Sequence, residues 1–353
     1  MKFISPKKSY FSAANGFSGF RSYFNQTFNP QKFTKLYILK GGPGTGKSSL
    51  MKKICSYFQN IECDCEAIYC SSDPSSLDGI IINSNGKKIG ILDGTAPHET
   101  DAKIPGAIDE VINLGSAWSE EKLISNRAKI VSLNQKKGQH YKNAYEYLRL
   151  AGEFANATAK IIQESYIFND TQNINDIMYD IKGIKEGRNE EVKLKSSFGK
   201  QGYKSLGKAN YSAKKRMSVI GVYGSEYIFM NHLLNEANRR GTNYIRYPSP
   251  YSDNLTEAIY LTENNTFISI GNDFDDITDT SEFLDENILQ INKERLSYYS
   301  KQTEELLLRA EKEFSSASDA HFSLEAIYSP AMNFDIINIL TDTLIKNIAK
   351  LII

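Results

Sequence analysis

The chain carries no excess charge of either sign, has few cysteines and contains no unbroken apolar run long enough for a bilayer. Its 42 lysines and arginines equal its 42 aspartates and glutamates, so no global field draws it to nucleic acid or to an anionic membrane. Neither is an expected partner. The stretch MKFISPKKSYFSAANG has charge but no apolar core of the kind a secretion signal needs. The most apolar tail, Phe334 to Ile353, is interrupted by Asp335, Asp342, Lys346 and Lys350 at helical spacing, which predicts an amphipathic packing helix and not a membrane span. All four cysteines, Cys55, Cys63, Cys65 and Cys70, fall in one window without paired C-x-x-C spacing or a nearby histidine. That argues against a zinc site and fits reduced, mostly buried thiols in a cytoplasmic protein.

The chemistry is concentrated in one segment. Leu36 to Leu50 reads LYILKGGPGTGKSSL, a short apolar run that breaks into glycines before a helical stretch opens. This is the Gly-x4-Gly-Lys-Ser pattern in its expected setting of strand, loop and helix. Glycines let consecutive backbone N–H groups converge on a phosphate chain, and the helix start adds partial positive charge. Gly41, Gly42, Pro43, Gly44, Thr45, Gly46, Lys47, Ser48 and Ser49 are therefore the candidate nucleotide-binding residues. Lys47 is expected at the β- and γ-phosphates and Ser48 at Mg²⁺.

The 353 residues suffice for two domains, and the chain reads as duplicated. LMKKICSYFQ at Leu50 to Gln59 resembles FMNHLLNEAN at Phe229 to Asn238, 179 residues later. YCSSDPSSLDGI resembles YPSPYSDNLTEAI, and KIGILDG lies opposite TFISIGN. The helical stretches LRLAGEF and LLRAEKEF align Arg149 with Arg309 at a shorter offset of 160. Carried over by 179 residues, Gly46, Lys47 and Ser48 fall on Ser225, Glu226 and Tyr227. A carboxylate in place of the lysine repels a triphosphate, so the second copy is expected to be incompetent.

Each copy reads as α/β. In the first, Leu36 to Lys40 is strand, Lys47 to Gln59 helix, Asp64 to Cys70 strand and Lys88 to Asp93 strand, with a turn at Asn83 to Gly86. This alternation predicts a parallel sheet with ligands at the carboxyl ends of the strands. Glu120 to Tyr166 and Glu286 to Ile327 are expected to be paired helices appended to each core. Lys182 to Gly207 reads as a solvated boundary segment between domains at 1–185 and 186–353.

Beyond the loop, Asp93 ends an apolar strand, where an aspartate beside a phosphate loop assists Mg²⁺; a structural turn is the alternative. It is followed by Gly94 and not by the glutamate that many motor ATPases use on water. Asp73 and Asp78 follow another strand and are candidates for positioning water or an acceptor, Asp73 alternatively capping a short helix begun by Pro74. Thr95 and His98 follow Asp93 as γ-phosphate sensors or structural residues. Arg127, Arg149, Arg239, Arg240 and Arg246 are the arginines available to a transition state.

Together, GGPGTGKSSLMKKI, CSSDPSSLDGI and ILDGTAPH resemble a family of bacterial P-loop ATPase-like proteins built as tandem halves, sometimes labelled nucleotide kinases. The likeness covers nearly the whole chain and departs in the second half, where VYGSEYIF occupies the loop position. It implies ATP binding at Gly41 to Ser48, with Mg²⁺, and no particular substrate. The leading expectation is an ATP-binding P-loop NTPase with one competent site, catalytic residues Lys47, Asp93 and Asp73, and Ser48 and Asp93 toward the metal. A nucleotide or small-molecule kinase, and a non-catalytic nucleotide-dependent binding module with a protein partner, are the alternatives.

Overall fold

The computed structural model describes residues 3–6, 8–167, 170–179, 181, 190–206 and 213–352. In the first half, strand β1 (Lys8–Phe11), a hairpin of β2 (Ala13–Gly16) and β3 (Gly19–Ser22), and a one-turn helix α1 (Phe24–Thr27) precede the core. The core runs β4 (Lys35–Lys40), α2 (Lys47–Asn60), β5 (Asp64–Tyr69), β6 (Leu77–Ser84), β7 (Lys87–Asp93) and β8 (Asp109–Asn113). Six strands form one sheet in the order β1-β5-β6-β7-β4-β8. The sheet is mixed and not wholly parallel, because β6 runs antiparallel to both β5 and β7. Asn85 and Gly86, with φ of 50° and 72°, form the tight turn whose handedness matches strand twist and fixes β6–β7 as a hairpin.

From β8 the chain enters α3 (Glu120–Ser125) and the 39-residue α4 (Arg127–Ser165), followed by α5 (Thr171–Ile177). The second half then repeats the order. Strand β9 (Glu190–Val192) and the hairpin β10 (Ser196–Gly199) and β11 (Gly202–Ser205) lead to β12 (Lys215–Ile220), α6 (Ser225–Arg240), β13 (Tyr244–Pro248), β14 (Thr256–Leu261), β15 (Thr266–Ile270) and β16 (Asp276–Asp279). Its sheet, β16-β12-β15-β14-β13-β9, has the same neighbours in the same relation. Helices α7 (Glu286–Ile291), α8 (Lys293–Tyr328) and α9 (Phe334–Ile352) close the chain. Among the described residues no helix is long and apolar enough to cross a membrane.

The long helices correct two expectations. They do not pair within each half; α4 and α8 pair with each other, antiparallel, each spanning about 55 Å at 1.5 Å per residue. Their seam is Ala144, Leu148 and Ala151 against Ala310, Phe314 and Ala317, small residues that let the backbones approach. These buried positions lie 166 residues apart, so Arg149 does not match Arg309; the 160-residue alignment followed exposed residues and missed the seam. The length difference arises mainly between β7 and β8, where residues 94–108 stand against only 271–275 in the second half.

Each long helix carries its chain to the other half, and the cores are exchanged. Met332, Ile337, Leu344 and Ile348, the end of the chain, pack with Leu39, Met51, Ile54 and Ile91 of the first half. Ile161, Ile162, Tyr166 and Ile174 pack with Val219, Phe229, Leu233 and Ile268 of the second. The hairpins cross as well. Phe11 N donates to Leu194 O at 2.8 Å, just before β10, while Arg21 on β3 donates to Ser249 O and Pro250 O at 2.9 and 2.7 Å. Part of the segment expected as a solvated boundary is therefore structural, with Lys195, Ser196 and Ser197 buried; residues 182–189 and 207 lie outside the described residues.

Candidate functional site

The loop from Gly41 to Gly46 leaves the carboxyl end of β4 and turns directly into α2. Gly44 and Gly46 hold φ of 68° and 86°, backbone that L side chains rarely adopt. No side chain caps α2, so the amides of its first turn are not claimed by a neighbour. Lys47 folds back over the loop. Its ammonium donates to Gly41 O at 2.7 Å and Gly42 O at 3.0 Å and stands 3.5 Å from Asp93 Oδ2.

Asp93 takes the structural-turn role and also stands beside the loop. It is buried at the end of β7, which pairs with β4 in parallel and so brings the carboxylate beside the loop. One oxygen accepts from the amide and hydroxyl of Thr95 at 2.9 and 2.6 Å and sets the turn; the other faces Lys47. The Ser48 hydroxyl accepts from Leu77 N at 3.0 Å, tying the first turn of α2 to the start of β6. Ser49 is exposed on the next position. Ser48 and Asp93 offer hard oxygen donors of the type magnesium takes. Among the described residues no group of three His, Cys, Asp or Glu side chains is placed to hold a metal, so magnesium here would draw on phosphate oxygens and water as well.

Asp73 caps no helix. Pro74 and Ser75 form a turn, with Asp73 Oδ1 accepting from Ser75 N and Oγ at 3.0 and 2.7 Å, and Oδ2 pairs with Lys200 at 2.6 Å. Burial opposes ionisation of this carboxyl, yet the bonds from Lys200 and Ser75 outweigh it and hold the group below the usual carboxylate range. Asp78 lies next to Asp93 across the β6–β7 register and meets His98 Nε2 at 3.2 Å. The His98 ring stacks on Phe24 with centroids 4.3 Å apart. Burial lowers its pKa, but the Asp78 carboxylate, with Asp93 behind it, more than reverses this and raises it above 6.5. Beside this pair, burial pushes the Cys70 thiol up, and the Asp78 charge adds to it.

The end of α8, belonging to the other half, rests on the loop. Ser329 Oγ donates to Gly44 O at 3.3 Å. A β-carbon at Gly42 would lie 3.1 Å from the Tyr328 ring, and one at Gly44 would lie 2.7 Å from Ser329 Oγ and 3.1 Å from Glu325 O. Tyr328 in turn meets Trp118, centroids 6.2 Å apart. None of these residues, nor Lys200, stands out by sequence pattern; helical periodicity marks buried faces and does not say which loop the end of a helix will meet. The arginines go elsewhere. Arg239 and Arg240 pair with Glu236 at 2.7 and 2.6 Å, Arg246 bonds Asp253 O, and Arg127 and Arg149 are exposed on α4.

The corresponding loop of the second half is shorter by two residues. Four residues, Gly221 to Gly224, separate β12 from α6, against six between β4 and α2. The left-handed Gly224, with φ of 88°, matches Gly46, so Ser225 stands opposite Lys47 and Glu226 opposite Ser48. The 179-residue offset holds for the buried faces of the two helices, Leu50, Met51, Ile54 and Phe58 against Phe229, Met230, Leu233 and Ala237, and only the glycine caps differ from it, by one residue. Side chains fill the vacated space: Ser225 Oγ shares a hydrogen bond with Thr280 Oγ1 at 2.7 Å and accepts from Val222 N at 3.2 Å. Glu226 Oε2 is buried without a partner among the described residues, and burial raises its pKa. Glu257, the counterpart of Asp78, is closed in by Ser196 at 2.5 Å, Tyr203 and Lys195.

Comparison of the chain with protein-family models, with curated proteins and with solved structures finds no match in any of the three.

Proposed function

We propose that the first half binds Mg-ATP at Gly41 to Ser49 and hydrolyses it slowly as a switch, with the second half as its mechanical partner. The observation that carries this reading is the posture of Lys47. A lysine held on two carbonyls of its own glycine loop, at the uncapped start of a helix and beside a buried aspartate, is an ammonium stored where a phosphate chain would replace the carbonyls. Asp93 and Ser48 are the side chains that would hold magnesium and its waters, and the metal's chemistry would be to neutralise phosphate charge.

The switch reading draws on the seat of α8, since Tyr328 and Ser329 of the other half touch the same loop. Phosphoryl transfer to an acceptor draws no comparable support, because Asp73 is paired with Lys200 and Asp78 with His98. Titration of the full chain with Mg-ATP tests the reading. Lys47→Ala is expected to weaken binding by about 100-fold or more, as loss of a charge-assisted phosphate contact does. An unchanged affinity overturns it.

A further inference from the structure

The one tryptophan of the chain lines a cleft of about 620 Å³ beside the glycine loop. Two segments far apart in sequence build it. The chain leaving β8 and the chain between α8 and α9 run antiparallel and bridge at Trp118 and Met332, with Ser119 N donating to Ala331 O at 2.8 Å and Asn333 N to Ala117 O at 2.7 Å. Lys122 on α3 ties the rim together by donating to Pro330 O at 3.1 Å. Phe334, at the start of α9, lines the cleft and is exposed.

The cleft meets the loop at both ends. The outer edge of the Trp118 indole lies on Gly115, where a β-carbon would come to 2.8 Å, and its ring meets edge-on the Tyr328 ring that covers Gly42. A β-carbon on Gly46 would lie 3.5 Å from the Phe334 ring, and one on Gly41 would lie 3.2 Å from Leu114 Cβ. Because Leu114 to Trp118 follow β8 directly, the cleft lies on the β8 side of the loop. The carboxylates lie on the other side, Asp93 at the end of β7 and Asp78 near the start of β6.

The second half makes the same bridge and fills it. Leu284 and Tyr166 take the places of Trp118 and Met332, with Asp285 N donating to Ser165 O at 2.7 Å and Ile167 N to Phe283 O at 2.8 Å. Leu284 and Tyr166 are buried, and Phe283, in the place of the small Ala117, packs against the rings of Tyr166 and Phe229.

We infer that this cleft takes the base of the nucleotide, stacked on Phe334 and Trp118; the inference rests on the proposed reading of Gly41 to Ser49 as a phosphate loop. A triphosphate on the loop has its metal-bound end at the carboxylates, so its sugar and base leave on the opposite side, where the aromatic cleft opens. Any nucleobase presents a flat π-face to such rings. Lys122 and Asn333 at the rim carry N–H donors for its ring nitrogens.

The test uses the full-length chain with magnesium and either a non-hydrolysable ATP analogue or inorganic tripolyphosphate, which carries the phosphates without sugar or base. Calorimetric titration should show the analogue binding more tightly by about 5- to 100-fold, the range of one stacked base. The emission of Trp118, which has no other tryptophan to mask it, should be quenched by the analogue and not by tripolyphosphate. Phe334→Ala should remove most of the preference and leave tripolyphosphate affinity within about 2-fold, which also reports a folded protein with an intact loop. Phe334→Tyr should keep the preference. A Phe334→Ala protein with the wild-type preference, or Trp118 emission unmoved by saturating analogue, overturns the base site and leaves the reading of the loop standing. A wild-type protein that binds neither ligand overturns the reading of the loop, and this inference with it.

Discussion

Placing a methyl group on Gly44 probes whether the end of α8 is seated on the loop, and Gly86 supplies the control. Both glycines are left-handed, with φ of 68° and 72°, so alanine strains the backbone alike at either, by about 1–2 kcal/mol. The surroundings differ. At Gly86 the added carbon meets nothing within 4 Å, whereas at Gly44 it comes to 2.7 Å from Ser329 Oγ, 3.1 Å from Glu325 O and 3.2 Å from Glu325 Cα. Two of those atoms are backbone of a long helix and have no rotamer to yield, so overpacking adds about 1–3 kcal/mol. Gly44→Ala should then cost about 2–5 kcal/mol in all, against about 1–2 for Gly86→Ala. Urea unfolding of the nucleotide-free protein measures both. Adding Ser329→Gly to Gly44→Ala removes the nearest contact and should recover part of the difference, with the Glu325 backbone retaining the rest. Equal destabilisation by the two alanines would refute the docking of α8 on the loop.

Two more outcomes are expected of the unliganded chain. His98 has its folded pKa raised above the value of 6.5 it takes when unfolded, so its pairing with Asp78 contributes stability that is whole below about pH 6.5 and is lost as pH rises through the raised value. Unfolding free energies measured from pH 5.5 to 8.5 should show that loss in the wild type and not in His98→Gln; parallel curves would reject the assignment. A fragment of residues 1–185 should not unfold cooperatively, because Met332, Ile337, Leu344 and Ile348 complete its core. A sharp denaturation transition in that fragment would show that the exchange of helices is dispensable.

What could be read from the residues, and what could not, divides along one physical line. Local chemistry was legible: the glycine loop, the strand ending in Asp93, and the amphipathic helix Phe334–Ile352, whose apolar stripe packs onto α2. The duplication was legible for the same reason, since Leu50 to Gln59 and Phe229 to Asn238 carry similar stripes. Partner choice was not. The burial stripe of α4 names Ala144, Leu148 and Ala151 as an inside face, but any facing helix with small residues would satisfy it, and pairing within a half satisfies the pattern as well as pairing across halves. Strand direction was legible only in part: the turn expected at Asn83 to Gly86 is present, with positive φ at Asn85 and Gly86, but it makes Leu77 to Ser84 antiparallel to β7, against the parallel sheet expected from the alternation of strands and helices. The shorter second loop was hidden for a related reason: an alignment anchored on a helix's apolar positions says nothing of the length of the loop before it.

The two halves differ far more at their loops than in their scaffolds, and that contrast constrains what the second half is for. Its sheet order, crossing hairpin and long helix all match the first, while its loop is short and filled by Ser225, Thr280 and Glu226. Its Glu257 is locked by Ser196, Tyr203 and Lys195 where the first half keeps Asp78 on a titratable histidine. Yet this half sends Tyr328, Ser329 and Lys200 to the first half's site. An inert copy kept only for bulk has no reason to place side chains on the other copy's loop. On the proposed switch reading, a change at Gly41 to Lys47 would be felt by α8 through Tyr328 and Ser329. Because the two helices share one packed seam, neither can shift along its axis without displacing Phe314 from between Tyr141 and Tyr145. The seam thus couples the two helices, and on the proposed switch reading the second half would be the body against which they move.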